Sequence, residues 1–381
     1  MTVLASLVAA LRDASSFKEH ELSLPRIIAA VLALGLAGCV REAPSAAPEA
    51  TPTDRAAATA AAAASQPKPA EGHFYVRGRH LYDRCGERVV LRGINEMVIW
   101  TAREGETFGE IAKTGANVVR IVWTVADHPG EAQLDRVLQR ALDARLIPII
   151  ELHDATGKLD KVPELVDFWT RPAVAEVLKR HQASLLLNIA NEAGGTGVRA
   201  QELAEVYRPA VARLRRAGLI MPLIIDAPDW GQDFDVLREA APGLLAADPE
   251  HDLLFSVHMW WVKSASSDDP GSARRIARAL AEAEALGLPL LIGEFGHAGV
   301  GCTRFIDYKA ILAEADKRGV GWLAWSWGPG NKDCEEMDMT TDGRFASLRG
   351  WGLEVAVTDP HGIQRTSKIP VSIARGHCAP R

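Results

Sequence analysis

From about residue 89 onward, short continuous apolar runs alternate with longer stretches in which apolar positions recur every three or four residues. Continuous runs of this kind predict buried parallel strands, and the helical period between them predicts amphipathic helices. The expected strands are Val89–Ile94, Asn117–Val122, Ile147–Leu152, Leu185–Ala190, Pro222–Ile225, Leu253–Val257, Pro289–Ile292 and Gly321–Ala324. Two helical stripes run through Leu134, Val137, Leu138, Ala141 and Leu142, and through Leu203, Val206, Tyr207, Ala210 and Leu214. Gly287 and Gly319 stand where C-terminal helix caps belong, each just before a strand. Alternation with right-handed crossovers gives parallel strands, and eight repeats close an α/β barrel, the (β/α)8 TIM barrel. The rival, an open doubly wound sheet holding a dinucleotide, requires a glycine-rich loop after its first strand. Gly93-Ile94-Asn95-Glu96 is not one, and no Walker loop is present.

Ahead of the barrel, Phe74 to Leu91 reads as a short hairpin turning at Asp83 to Gly86, suited to plugging the lower end. Further upstream, Arg26 opens an apolar segment, Ile27 to Leu36, with the character of an export signal and too short to span a bilayer. It ends in Leu36-Ala37-Gly38-Cys39, which resembles the lipobox of bacterial lipoproteins. That resemblance implies cleavage before Cys39, lipidation of its thiol and a membrane partner through the lipid. A plain secretory signal is the alternative. Residues 40–72 are dominated by Ala, Pro and Thr, a composition that buries too little surface to order itself. The expected division is therefore an export signal over 1–39, a flexible linker over 40–72 and a catalytic domain over 73–381. The expected location is the bacterial cell envelope, at the outer membrane or cell surface, or else the medium.

Composition adds two constraints. A formal net charge of -6 without any basic run argues against a nucleic-acid partner. Ten tryptophans against four tyrosines suit a protein that stacks the apolar faces of sugars, although large rings are also ordinary core material. Setting Cys39 aside, Cys85, Cys302, Cys334 and Cys378 form an even set, which in an oxidising compartment permits three pairings. Cys85 opens the globular part and Cys378 nearly ends it, while Cys302 and Cys334 follow two late strands; the expected pairs are Cys85 with Cys378 and Cys302 with Cys334. Free buried thiols are the alternative.

Candidate chemistry lies at the strand ends. Reading the residue at or just past each expected strand gives Asn95, Arg120, His153, Asn191 with Glu192, Asp226, His258, Glu294 and Trp325. Barrels carry their active sites at this end. Two apolar runs that each finish in a glutamate, at Glu192 and Glu294, deliver the pair of carboxyls that glycoside hydrolysis requires. No His, Asp or Cys cluster has convincing metal-ligand spacing, so neither a metal nor a cofactor is expected.

These residues resemble glycoside hydrolase family 5, the cellulase and mannanase family. The resemblance rests on Asn191-Glu192, Gly293-Glu294-Phe295, Val119-Arg120-Ile121, Glu151-Leu152-His153-Asp154, His258 and Trp322-Leu323-Ala324-Trp325-Ser326-Trp327. Ile111 to Arg120 and Asp229-Trp230-Gly231-Gln232 look closest to the bacterial endo-β-1,4-mannanase branch. The resemblance implies a retaining endo-β-glycosidase with Glu192 as general acid/base and Glu294 as nucleophile. It further implies that Arg120 holds Glu294 ionised, that Asn191 binds the sugar 2-hydroxyl, that His153 and His258 orient the glutamates, and that Trp325 floors the cleavage subsite. The family usually has His, any residue, Tyr after the sixth strand; here it is His258-Met259-Trp260, an indole in place of a phenol. Trp100, Trp123, Trp230, Trp261 and Trp327 fall in or beside catalytic-end loops, where stacking on sugars is expected, with Trp100 and Trp230 as the leading candidates. Mannan or glucomannan is the expected substrate, β-1,4-glucan the runner-up. Transglycosylation and a non-catalytic glycan-binding lipoprotein are the rival activities, and a monomer is expected.

Overall fold

The computed structural model describes residues 72–263 and 270–378. Cys39, the expected export signal and all but the last residue of the expected linker lie outside these. Eight strands close a parallel barrel: β4 (Arg92–Glu96), β5 (Val118–Trp123), β6 (Ile147–Leu152), β7 (Leu186–Asn188), β8 (Leu223–Asp226), β9 (Leu253–His258), β10 (Leu290–Glu294) and β11 (Gly321–Ala324). β11 pairs with β4, and β10 with both β9 and β11, so no edge remains open. Helices such as Glu131–Asp143, Ala200–Arg216 and Tyr308–Arg318 return the chain outside the barrel, and Leu134, Val137, Leu203 and Leu214 of the expected stripes are buried against it. Gly319 caps the last of these helices in the left-handed conformation (φ 63°), where a Cβ is costly.

The expected hairpin is instead a three-stranded antiparallel sheet, β1 (Tyr75–Arg77), β2 (His80–Tyr82) and β3 (Arg88–Val89). Its second turn lies over Asp83–Gly86 as the sequence suggested, closed by Gly86 N–H donating to Asp83 O at 2.9 Å. An additional turn at Gly78 (φ 57°) admits the third strand. The first barrel strand consequently starts at Arg92 and not at Val89, whose apolar side chain belongs to the plug. Phe74, Val76, Leu81, Val89 and Leu91 cluster with Val118, Ile147, Leu186, Ile224 and Leu323, the early residues of the barrel strands. The small sheet thus seals the end opposite the catalytic mouth.

Two disulfides join distant parts, Cys85 to Cys378 and Cys302 to Cys334. The first ties the plug to the C-terminal segment, which Asp83 also holds by accepting Ser372 N–H at 3.2 Å. The second links the loop after β10 to the loop after β11. Among the described residues no helix is long and apolar enough to cross a membrane.

Candidate active site

Glu294 is the last residue of β10, and the β9–β10 register shifts between Ile292 and Glu294. Such an irregularity turns a side chain out of strict alternation, here toward the mouth. The preceding Gly293 is required by packing: a Cβ there would come 2.3 Å from Ser256 Oγ and 2.8 Å from His258 Nε2. Glu192 follows β7 by a short extension in which Asn191 N–H donates to Leu152 O at 2.9 Å. Its backbone is left-handed (φ 47°), an uncommon conformation for a residue with a side chain, and its N–H donates to Asp226 Oδ2 at 3.0 Å.

The two carboxyls meet over His258. His258 Nδ1 lies 2.8 Å from Glu192 Oε1 and 3.5 Å from Glu294 Oε2. One donor atom from each of Glu192, His258 and Glu294 lies within 4.8 Å of the others. Retaining glycosidases hold their carboxyls about 5 to 5.5 Å apart and inverting ones about 6.5 to 9.5 Å, so the spacing here falls on the retaining side. The same trio has donor atoms that a metal ion would accept, but the Arg120 guanidinium, 2.9 Å from Glu294 Oε1, already supplies the positive charge.

Arg120 organises the floor of the site. It is buried and donates to Glu294 Oε1 at 2.9 Å, Asn95 Oδ1 at 3.0 Å, Asn188 Oδ1 at 2.9 Å and Asn191 Oδ1 at 2.7 Å. Contrary to the reading from sequence, it is not a strand-end residue. It sits inside β5, level with Asn95 and Ile149, and its long side chain reaches upward from a deeper layer. His153 begins a short turn directly after β6, 2.9 Å from Glu151, with its ring stacked on Trp325 at 5.8 Å and met edge-on by Trp100 at 5.5 Å. Trp260 Nε1 donates to Glu294 Oε2 at 3.3 Å, so the indole reaches the carboxylate that the family's phenol would reach.

Burial raises both glutamates above the ordinary carboxylate range, but unequally in its consequences. Glu192 is lifted well above it by burial, then by the charges of Glu294 and Asp226, with Arg120 only partly opposing. Glu294 is raised by burial and held back first by Arg120 and then by His153. With like charges so close, one proton is shared by the pair, and the guanidinium contact assigns it to Glu192. Burial, then the charges of Arg120 and His153, drives His258 well below its ordinary value, so it is neutral. Burial also disfavours charge on His153, yet Glu151 outweighs it and raises the pKa.

The tryptophans divide by exposure. Trp100 and Trp230 stand 47% and 44% exposed on the rim, and Trp325 offers a mostly covered face beside His153. Trp123, Trp261 and Trp327 do not meet the expectation of sugar stacking. All three are buried, their indole N–H groups bonded to His128 Nδ1, Gln232 O and Gly343 O. Sequence reasoning gave no role to Glu151, Asn188 or Asn331, which fix His153, Arg120 and Trp325 respectively. The signal available for the first two was a polar residue inside an apolar strand run.

A closed (β/α)8 barrel with a buried carboxyl pair and a guanidinium at its C-terminal mouth defines a barrel glycoside hydrolase. The family described as "Cellulase (glycosyl hydrolase family 5)" matches residues 82–331. A mannan endo-1,4-beta-mannosidase of Cellvibrio japonicus (strain Ueda107) is 31% identical over 308 residues, 78% of this chain and 69% of that one. Another from Salipaludibacillus agaradhaerens is 32% identical over 301 residues, 77% and 94% of the two chains. The crystal structure of a β-mannanase from Streptomyces thermolilacinus with mannohexaose superposes with a TM-score of 0.71 at 33% identity, covering 80% of this chain and 99% of that one. The chain belongs to glycoside hydrolase family 5, and it is a glycoside hydrolase.

Proposed function

We propose that the enzyme cleaves internal β-1,4 bonds of mannan or glucomannan by double displacement, with Glu294 as nucleophile and Glu192 as general acid/base. The observation that carries this reading is the carboxyl pair within 4.8 Å, with the guanidinium on Glu294 alone. The named activity of the relatives and the mannohexaose complex of the similar β-mannanase support the choice of substrate.

In the first step a Glu294 oxygen attacks the anomeric carbon while the Glu192 proton passes to the departing glycosidic oxygen. A glycosyl ester forms on Glu294, and the shortened polymer leaves with a free hydroxyl. Esterification removes the Glu294 charge that had raised Glu192, so Glu192 is then a stable carboxylate. It takes a proton from water as the water oxygen attacks the anomeric carbon and Glu294 leaves. Arg120 stabilises the carboxylate before and after the ester. Asn191, whose amide is fixed by Arg120 and by donating to Thr156 Oγ1 at 2.9 Å, is assigned the 2-hydroxyl. Trp325 is the floor, and Trp100 and Trp230 extend the stacking surface.

The test is reducing-end release by the full chain carrying Cys39→Ser on pure β-mannan, galactomannan, glucomannan and soluble cellulose. Release from the mannans and not from cellulose supports the reading. Release from cellulose alone overturns the substrate, and binding without release makes the protein a glycan binder. Long products would reveal transfer in place of hydrolysis. Residues 1–39 are read as the export signal and Cys39 as the lipid-bearing residue of a monomeric envelope enzyme. Mass analysis of the mature N-terminus tests that assignment.

A further inference from the structure

The end of the barrel away from the mouth holds a feature that the reaction does not use. Between β3, the start of β4, the close of helix Tyr308–Arg318 and the C-terminal segment lies a cavity of about 490 Å³. Its wall carries six cationic side chains, Arg79, Arg88, Arg92, Lys317, Arg318 and Lys368, against two acidic ones, Glu87 and Asp316, in a chain whose formal net charge is -6. Some of these charges are spent within the protein. Arg79 pairs with Glu284 at 2.7 Å, Arg318 with Glu314, and Arg92 donates to Val320 O at 2.7 Å and lies 3.6 Å from Asp316. Arg88 and Lys368 are exposed, and among the described residues neither side chain has an ion pair or hydrogen bond. A neighbouring side chain registers the local field: burial first, then Arg88 and Arg79, pull His80 down to about 4.

Two further observations concern the same end. Leu286 and Ile369, 61% and 38% exposed, stand beside it, the first just before β10 and the second between Lys368 and Pro370 of the cavity wall. The polypeptide also enters here. His73, near the start of the described chain, lies 3.4 Å from Asp252, the residue before β9. Basic side chains with exposed apolar residues at the same end match a bilayer surface, where anionic headgroups attract Lys and Arg and the acyl boundary accepts Leu and Ile.

We propose that the N-terminal end of the barrel rests on an anionic bilayer, with the cavity receiving a lipid headgroup phosphate between Arg88 and Lys368. The catalytic mouth then points away from the membrane, toward polymer arriving from outside. This placement extends the lipid-anchor reading but is separable from it, because Cys39→Ser removes the acylation site and leaves the cavity intact.

The experiment is flotation of the full chain carrying Cys39→Ser with phosphatidylcholine vesicles, with and without phosphatidylglycerol, beside the same chain with Arg88→Glu and Lys368→Glu added. Both substituted positions are exposed and distant from the carboxyl pair, and unchanged thermal unfolding confirms that the fold is intact. The expected result is association that depends on phosphatidylglycerol, weakens with salt and falls ~10-fold or more in the double variant. Equal flotation on both vesicles, or full flotation of the double variant, overturns the proposal. Calorimetric binding of inorganic phosphate without any vesicle association overturns it as well, and leaves a site for a free anion.

Discussion

Among single residues, the site turns on two glutamates that are chemically alike and electrostatically different. Glu294 has Arg120 at 2.9 Å, whereas Glu192 has the neutral His258 at 2.8 Å and the charge of Asp226 nearby. Glu294→Gln removes the proposed nucleophile, and kcat is expected to fall ~10⁴-fold or more on every substrate. Glu192→Gln removes only the proposed proton donor. On polysaccharide it should cost ~10²- to 10⁴-fold, but an aryl mannoside with a good leaving group needs no acid for its first step and should give a burst of phenol followed by slow turnover. Burst kinetics distinguish the two variants. Trp260 permits a finer test. Its N–H reaches Glu294 at 3.3 Å, a long hydrogen bond, so Trp260→Phe should lower kcat by only about 10-fold, the scale of one such donor. A loss as large as that of Glu294→Gln would contradict the modest role assigned to the indole.

At the scale of elements, strands fix the first half of the site and loops finish it. Trp325 is held by the loop after β11, where Asn331 accepts its indole N–H at 3.0 Å and itself donates to Asp338 Oδ1 at 2.6 Å and Ser326 Oγ at 2.9 Å. The Cys302–Cys334 bond anchors that loop to the one after β10. Asn331→Ala should therefore raise KM several-fold with a smaller change in kcat, because the floor under the sugar loosens while the carboxyls stay in place; steady-state kinetics on mannohexaose would show the split. Much of the scaffold is legible in the sequence. β6 and β11 have the bounds their apolar runs suggested, because a buried parallel strand leaves an unbroken signature. The first barrel strand was misplaced because Val89, Val90 and Leu91 are as apolar as a barrel strand, and local hydrophobicity does not distinguish a plug from a wall. At the site, a polar side chain ending an apolar run was visible for Glu192 and Glu294. The roles of Glu151, Asn188 and Asn331 were not, since each works through another side chain and only three-dimensional proximity reveals the partner.

At the scale of the whole molecule, the barrel stores unfavourable electrostatics in its interior. Glu96, at the end of β4, is raised to about 8 by burial, against the hydrogen bonds of Thr101, a donor at 3.1 Å, and of Thr107. A carboxyl whose folded pKa is raised holds its proton when the unfolded chain has lost it, so folding stability falls as pH rises from the ordinary carboxylate range to about 8 and stays lowered above. Glu96→Gln keeps the neutral shape and removes that loss. It is expected to stabilise the protein by a few kcal/mol on the alkaline side and by little below about pH 5, a difference that thermal melts at the two pH values would measure. Catalysis has its own pH window. kcat/KM requires Glu294 ionised and Glu192 protonated, which gives a bell with Glu294 on the acid limb and Glu192 on the alkaline limb. Burial shifts both limbs above the ordinary carboxylate range, and Glu192→Gln should erase the alkaline one. Whether Glu294 bonds to the sugar before water does is decided by proton NMR of the anomeric signals during the first minutes of mannohexaose hydrolysis. Two inversions at one carbon predict that the β-anomer of the new reducing end appears first and the α-anomer grows only by mutarotation. Initial release of the α-anomer would overturn double displacement, because it requires a single displacement by water.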